Sequence, residues 1–433
     1  MNTICAISTP YGVGGIAVIR VSGDEAIAIV DSLFKGKHPL TEAAARTMHY
    51  GRIAELDDGI VSVFRAPHSF TGEDVVEVAC HGSLYIQQTL IQRLIEAGCT
   101  MAAPGEFTRR ALIHGKLDLT QAEAVADLIA SQSKAEHDLA LSQLRGSVSS
   151  EIAVLRERLL HLTSLIELEL DFADHEELEF ASRDELQAVA EEIEAHLTRL
   201  TESFKTGNAI KNGLPVAIVG PTNAGKSTLL NALVGEERAI VSDIQGTTRD
   251  TIEETIILDG ILFRLIDTAG LRETQDEIEN LGIARTQAAI EKAAIILDLS
   301  GNSGDSGKAV IQVVNKSDLM TAEQKAAVDA AAVLISAKNG DIAPLRERLV
   351  EEAHRLLADA SEGVCISGER HYEALVRALT GIRAVKDGIK QAISGEFLSM
   401  DLKEVLNALG EVTGQVTSDE VLANIFSKFC IGK

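Results

Sequence analysis

A chain of 433 residues is too long for one ordinary core, so two to four domains are expected. With 45% hydrophobic and 24% charged residues it has the balance of a folded protein rather than a disordered one, and no run of about 18 apolar residues is present to cross a bilayer. The formal charge of −25 works against binding a nucleic-acid backbone over the whole surface, so any RNA must meet a local basic patch or a second protein.

The opening Met1-Asn2-Thr3-Ile4-Cys5 has no basic stretch ahead of an apolar one, so no secretion signal is expected. Cys5, Cys80, Cys99, Cys365 and Cys430 are scattered without a C-x-x-C spacing, which argues against a disulfide framework or zinc site and for a reducing cytoplasm. Residues 1–118 read as an α+β unit, with strands at Ile16–Val21 and Val75–Ala79 and an amphipathic helix over Leu84–Ala97. From Leu119 the pattern turns helical. Thr120-Gln121-Ala122-Glu123 fits a capping box, and apolar residues recur at helical spacing through Leu170. The acidic stretch 171–179 reads as a solvated connection before a second capping box at Ser182–Glu185 and a helix to about Phe204, so 119–212 reads as part of a bundle.

At Leu214 the pattern switches again. Apolar strands at 215–219, 261–266, 294–299 and 310–314 alternate with helical segments, which predicts a mostly parallel, doubly wound sheet over 213–357. Residues 358–433 return to helix. The expected architecture is multidomain α/β plus α, with an N-terminal α+β domain and a discontinuous helical domain. A Ras-like P-loop domain is inserted between the two helical segments.

Gly220-Pro221-Thr222-Asn223-Ala224-Gly225-Lys226-Ser227 satisfies G-x-x-x-x-G-K-[ST] between a strand and a helix. Its amides are expected to face phosphates, with Lys226 at the β- and γ-phosphates and the Ser227 hydroxyl on Mg²⁺. Asp267-Thr268-Ala269-Gly270 ends the next strand, placing a carboxylate near the Mg²⁺ shell and the Gly270 amide near the γ-phosphate. Asn315-Lys316-Ser317-Asp318 follows the strand 310–314. A carboxylate at Asp318 accepts from guanine N1–H and N2–H, donors that adenine lacks, and Ser336-Ala337-Lys338 supplies an amide for guanine O6. Together these select GTP. Gly246-Thr247-Thr248 occupies the position of a switch loop, with Thr248 as the second hydroxyl ligand of Mg²⁺. Asn223 to Thr228, Ser242, Asp243, Ile244, Gln245 and Gly246 to Thr248 complete the nucleotide contacts expected around the phosphates.

Leu271 stands where Ras-type enzymes carry a water-orienting glutamine, so another group must take that role. Glu273, Asp276, Glu277 and Glu279 all lie in the following segment, and sequence spacing does not choose among them. No arginine finger is identifiable. A bound cation meets the same need for positive charge, and the amide oxygen of Asn223 is one candidate to hold a monovalent ion.

Blocks outside the nucleotide motifs carry a resemblance. Thr9-Pro10-Tyr11-Gly12-Val13-Gly14-Gly15, Ser69-Phe70-Thr71-Gly72-Glu73-Asp74, Ala103-Pro104-Gly105-Glu106-Phe107-Thr108, Lys116-Leu117-Asp118-Leu119-Thr120-Gln121 and the terminal Phe429-Cys430-Ile431-Gly432-Lys433 are similar to the signatures of the MnmE (TrmE) family of tRNA-modification GTPases. The resemblance runs end to end. It implies a dimerising N-terminal domain that binds a 5-formyltetrahydrofolate-type folate through Arg20, Glu77, Lys116 and Lys433. It also implies a K⁺ site at Asn223, Ser242, Ile244 and Thr247, with Glu279 orienting water and GTPase modules pairing across their nucleotide faces. It further implies a homodimer joined to the flavoprotein MnmG (GidA) in a heterotetramer, which adds a carboxymethylaminomethyl-type group to C5 of wobble uridine (position 34) in certain tRNAs. Cys430 is expected to be needed for that modification, as a nucleophile or as a buried structural thiol.

Two other readings use the same motifs: a GTP-dependent assembly factor for RNA–protein particles, and a folate-dependent one-carbon transferase regulated by GTP. The helical, acidic C-terminus argues against the first. One departure stands out. The segment from Asp267 to Asn315 is short, so the helix between the strands at 294–299 and 310–314 is expected to be reduced or missing.

Overall fold

The computed structural model describes residues 2–171, 183–221, 223–237, 253–266, 287–301, 307–358, 363–427, 429 and 432. It divides into two compact units, Met1–Ala126 with Gly410–Lys433, and Asp127–Leu409.

The first unit is built on a seven-stranded sheet. Its elements are β1 (Ile4–Ile7), β2 (Gly14–Ser22), α1 (Ala26–Leu33), β3 (Phe34–Gly36), β4 (Thr47–Ile53), β5 (Asp57–Phe64), β6 (Val75–Gly82), α2 (Leu84–Glu96), β7 (Thr100–Met101) and α3 (Glu106–Ile113). The strand order is β3-β4-β5-β6-β2-β1-β7, antiparallel except for β1–β7. Alternation along β2 sends Ile19 and Val21 to one face, where they pack with Val61, Val63, Val76, Val78 and residues of α1 and α2. Arg20 therefore points to the other face, directly opposite Glu77. The expected strands fall inside β2 and β6, and the expected helix is α2. The remaining five strands gave little signal because their exposed positions mix polar and apolar residues, as Met48, Tyr50 and Arg52 do on β4.

The end of the chain belongs to this unit. Phe426 is buried, and Gly105, at a left-handed φ of 66°, lies so close that a Cβ there would sit 2.9 Å from the Phe426 ring and 3.0 Å from Phe429 Cβ. A Cβ on Gly432 would come within 2.2 Å of the Ile7 carbonyl oxygen, and the Ser8 hydroxyl donates to the Gly432 carbonyl at 3.2 Å.

The chain passes into the second unit within α4 (Leu119–Ala130), followed by α5 (Lys134–Leu144), α6 (Ser147–Asp171) and α7 (Arg183–Asn212). The single helical run expected through Leu170 is thus three helices, interrupted at Ser131-Gln132-Ser133 and Arg145-Gly146. An Asp118–Gln121 capping box starts α4, two residues ahead of the expected Thr120–Glu123 pair. Asp118 Oδ1 accepts from Gln121 N–H at 2.9 Å and from the Thr120 hydroxyl at 2.6 Å, while Gln121 Oε1 accepts from Asp118 N–H at 3.0 Å. Aspartate is as good a cap as threonine, and its position one residue before Leu119 lets the buried helix face begin earlier. The second expected box begins at Ser182, outside the described residues, and α7 runs past Phe204 to Asn212.

The six-stranded sheet of this unit holds β8 (Leu214–Val219), β9 (Glu253–Leu258), β10 (Ile261–Ile266), β11 (Ile295–Asp298), β12 (Ala309–Val314) and β13 (Val333–Leu334) in the order β13-β12-β11-β8-β10-β9. Only β9 is antiparallel to its neighbour. The helices α8 (Lys226–Glu237), α9 (Ala322–Ala326) and α10 (Ala343–Leu357) follow β8, β12 and β13. Leu229, Leu233, Leu345 and Leu349 bury one face of the sheet, and Ala289 and Ala293 cover Ala217, Val219 and Ile296 on the other. The described residues between β11 and β12, 299–301 and 307–308, contain no helix, as the short spacing predicts. Lys308 braces this place by donating to the carbonyls of Ile290 at 2.6 Å and Ala293 at 2.9 Å. After β13 the chain returns to helix in α11 (Glu369–Lys390), α12 (Gly395–Thr413) and α13 (Asp419–Ser427).

Candidate nucleotide and folate sites

β8 is a central strand, and the loop Gly220–Gly225 leaves its carboxyl end to start α8 at Lys226. Three residues there have unusual backbone angles. Gly220 has φ 153°, Asn223 has φ 66° and Gly225 has φ 90°. A Cβ on Gly225 would stand 2.4 Å from Asn315 Nδ2, so the loop closes on Asn315 only because glycine has no side chain. Lys226 Nζ donates to the carbonyls of Gly220 at 2.7 Å and Pro221 at 2.9 Å, which folds its charge over the loop. Ser227 and Thr228 are exposed in the first turn of α8, where free amides and the helix dipole favour an anion. The Ser227 hydroxyl, expected to hold Mg²⁺, stands exposed in that turn.

The residues expected to read the purine converge on the same loop. Asn315 donates from Nδ2 to the Ala224 carbonyl at 3.1 Å, while its Oδ1 accepts from Ala337 N–H at 3.1 Å and from Lys316 N–H at 2.8 Å. One amide side chain thus ties the phosphate loop, the Asn315–Asp318 turn and the Ser336–Lys338 turn together. Lys316, at a left-handed φ of 64°, donates from Nζ to the Asn223 carbonyl at 2.8 Å. The buried Ser336 hydroxyl donates to Asp318 Oδ1 at 2.6 Å. That bond, with smaller help from the charges of Lys338 and Lys325, holds the Asp318 carboxyl below its ordinary range. Asp318 is exposed and ionised, as an acceptor for two guanine donors must be. Ser317 is buried beneath it, and Lys338 is exposed. A cavity of about 360 Å³ runs beside the loop, walled by Pro221, Ala224, Asp298, Ser300, Gln312 and Asn315.

Ser242, Asp243, Ile244, Gln245, Gly246, Thr247, Thr248, Asp267, Thr268, Ala269, Gly270 and Glu279 lie outside the described residues, as do Cys430 and Lys433. Among the described residues no cluster of His, Cys, Asp and Glu suited to a metal ion occurs, and no helix is long and apolar enough to cross a membrane.

In the first unit Arg20 and Glu77 form an ion pair, Nε and Nη2 of the arginine reaching Glu77 Oε1 at 2.9 and 2.8 Å. The guanidinium lies 5.4 Å from the Phe70 ring centroid and 5.6 Å from that of Phe107. Lys116 is exposed just after α3, its N–H donating to the Ala111 carbonyl at 2.8 Å. The structure adds a support that residue types alone did not reveal. Buried Arg110 donates to both oxygens of buried Glu73 at 3.0 and 2.9 Å, and Ser22 donates to Glu73 at 2.7 Å. This network anchors the Ser69–Asp74 loop that carries Phe70. Its sequence signal was the block Ser69–Asp74 itself, whose acid stands far from its arginine along the chain.

Comparison with known proteins agrees across the whole length. The profile of the GTP-binding protein TrmE N-terminus matches residues 3–116, and that of the MnmE helical domain matches 119–430. The tRNA modification GTPase MnmE of Parabacteroides distasonis is 51% identical over 462 aligned positions, covering all of both chains. Proteins of the same name from Bacteroides thetaiotaomicron and Flavobacterium johnsoniae are 50% and 47% identical, each match covering all of this chain and 99% of the relative. The FeoB G-domain from Methanococcus jannaschii overlaps weakly, at 22% identity and a TM-score of 0.23 over 32% of this chain and 96% of that one.

Proposed function

This chain belongs to the MnmE family of tRNA modification GTPases, and from that premise we propose that it acts with a flavoprotein of the MnmG type to add a carboxymethylaminomethyl-type group to C5 of the wobble uridine of certain tRNAs. The observation that carries the GTP-dependent part is the Asn315 bridge. It fastens the phosphate loop to the turn bearing Asp318, so a nucleotide held by its phosphates presents its base to a carboxylate that Ser336 orients. GTP is accepted and ATP refused because adenine would leave that carboxylate without donors.

In this reading Ser227 and Thr248 hold Mg²⁺, which neutralises charge on the phosphates. Asn223, Ser242, Ile244 and Thr247 hold K⁺, supplying positive charge where the sequence identifies no arginine finger. Glu279 orients the attacking water. Asp267 holds the Mg²⁺ shell, and the Gly270 amide meets the γ-phosphate. Arg20, Glu77, Lys116 and Lys433 bind the folate, with the rings of Phe70 and Phe107 fixing the Arg20 guanidinium. The protein works as a cytoplasmic homodimer, and the α/β module 213–357 is inserted into the helical domain expected from 119–212 and 358–433, whose last part, Gly410–Lys433, groups with the N-terminal unit. Its acidic surface favours meeting tRNA through the flavoprotein.

Three measurements test the proposal. Hydrolysis assayed in K⁺ and in Na⁺, with and without the flavoprotein, is expected to be much faster in K⁺; equal rates in the two salts remove the cation role. Asp318→Asn is expected to weaken GTP binding and shift preference toward xanthine nucleotides, and an unchanged GTP affinity refutes the assignment. Loss of the modified uridine from tRNA of a deletion strain separates this reading from an assembly factor, which would leave that base intact.

A further inference from the structure

The ion pair of Arg20 and Glu77 in the first unit is only half used. Both hydrogen bonds from the guanidinium go to one oxygen, Glu77 Oε1. Among the described residues nothing hydrogen-bonds Glu77 Oε2 or Arg20 Nη1, and the two side chains are 29% and 16% exposed, so neither atom is sealed from solvent. A free charged acceptor beside a free charged donor suits a heterocycle whose edge carries N–H donors next to a carbonyl, because one such edge satisfies both atoms.

An aromatic ring borders this pair. Phe70 is 37% exposed, and its ring centroid lies 5.4 Å from the Arg20 guanidinium. Phe107, the other ring against that guanidinium, is fully buried, so of the two only Phe70 can be reached by a ligand. The loop is fixed on both sides of Phe70. Ser69 donates its hydroxyl to the Glu73 carbonyl and accepts from Gly72 N–H at 3.0 Å. The Thr71 hydroxyl is 2.7 Å from that of Ser22, and the Thr71 carbonyl accepts from His114 Nδ1 at 2.7 Å. With Glu73 itself held by Arg110 and Ser22, the loop under the ring is set before a ligand arrives, which lowers the ordering cost of binding.

We propose that Phe70 is the stacking platform of the folate site: the pyrimidinone half of the pterin lies against the exposed part of the ring, with its N–H donors on Glu77 Oε2 and its carbonyl on Arg20 Nη1. This rests on the folate reading given above and adds to it a residue and an orientation. The pyrimidinone half stays flat and conjugated in a tetrahydrofolate, so reduction of the neighbouring ring does not remove the contact.

The test is calorimetric titration of the full chain with 5-formyltetrahydrofolate and with para-aminobenzoylglutamate, which has the folate tail but no pterin. The ultraviolet difference spectrum of the bound folate and a melting curve of each variant are taken in parallel. Wild type is expected to bind the folate with a loss of absorbance, the mark of a stacked ring. Phe70→Leu is expected to melt with wild type but to bind the folate about tenfold more weakly and without that loss, and Phe70→Tyr to restore both. Affinity for the pterin-free tail is expected to be equal in all three. The platform is overturned, with the folate reading left standing, by wild-type binding without an absorbance change, which needs no variant, by Phe70→Leu binding as wild type does, by Phe70→Tyr binding no better than Phe70→Leu, or by a tail affinity that falls in step. A wild-type chain that binds no folate overturns both.

Discussion

Ser336 donates its single hydroxyl proton to Asp318, and the carboxylate proposed to read guanine depends on that bond for its direction. Ser336→Ala removes a hydrogen bond of about 1 kcal/mol and is expected to weaken GTP about fivefold, read by fluorescent-nucleotide titration. An affinity unchanged within error would show that Asp318 is held by other means. The same scale contains Arg110 and Glu73, buried together under the Phe70 loop. Arg110→Ala leaves the Glu73 charge without its partner and is expected to cost about 3–5 kcal/mol in urea unfolding, a loss no surface ion pair produces. The sequence exposed these two sites unequally. The phosphate loop and the Asn315–Asp318 turn are legible because each motif is contiguous and sits at the end of an apolar strand. The bond from Asn315 to Ala224 joins residues 91 positions apart, and Glu73–Arg110 joins residues 37 apart, so neither pairing is visible in local spacing.

At the scale of elements, α7 packs against α11, and it meets the segment just ahead of that helix unusually closely. A Cβ on Gly207 would come within 2.3 Å of the Ile366 carbonyl oxygen, where backbone cannot yield as a flexible side chain would. Gly207→Ala is therefore expected to destabilise the unit by about 1–3 kcal/mol despite its better helix propensity, and a raised Tm would contradict the packing. Glu194 on α7 faces Lys386 and Arg383 on α11, and the Lys386 hydrogen bond foremost lowers its carboxyl from the ordinary range. A depressed carboxylate contributes stability above its unfolded pKa and loses it as pH falls through the folded one. Glu194→Gln is thus expected to lower stability at neutral pH and to converge with wild type in acid; parallel pH curves would remove the ion pair from the account. Helix type was readable here from apolar spacing, whereas breaks and ends were not. Ser131-Gln132-Ser133 interrupts a periodicity that the flanking apolar residues continue, and Asp118 and Thr120 are both plausible caps until the hydrogen bonds are seen.

For the whole molecule, chain order and spatial order diverge. The α/β sheet was legible because four of its strands are apolar runs, three of them buried at nearly every position, while the antiparallel edge β9, Glu253–Leu258, begins with two glutamates and a threonine and gave no such run. The membership of residues 410–432 in the N-terminal unit had no local signal at all, since it depends on Phe426 and Gly432 meeting Gly105 and Ile7. Phe426→Ala is expected to cost that unit about 3–5 kcal/mol while leaving GTP affinity unaltered, because the nucleotide residues belong to the other unit. Loss of nucleotide binding in this variant would show that the two units do not act separately. Ser8 and Gly432 are hydrogen-bonded partners 424 positions apart. A ribosome therefore delivers β1 long before the segment that packs on it, and domains built during synthesis otherwise tend to finish from the N-terminus onward. The first unit to emerge stays incomplete, with Gly105 and Ile7 uncovered, until the tail leaves the exit tunnel, and so it is the last to close.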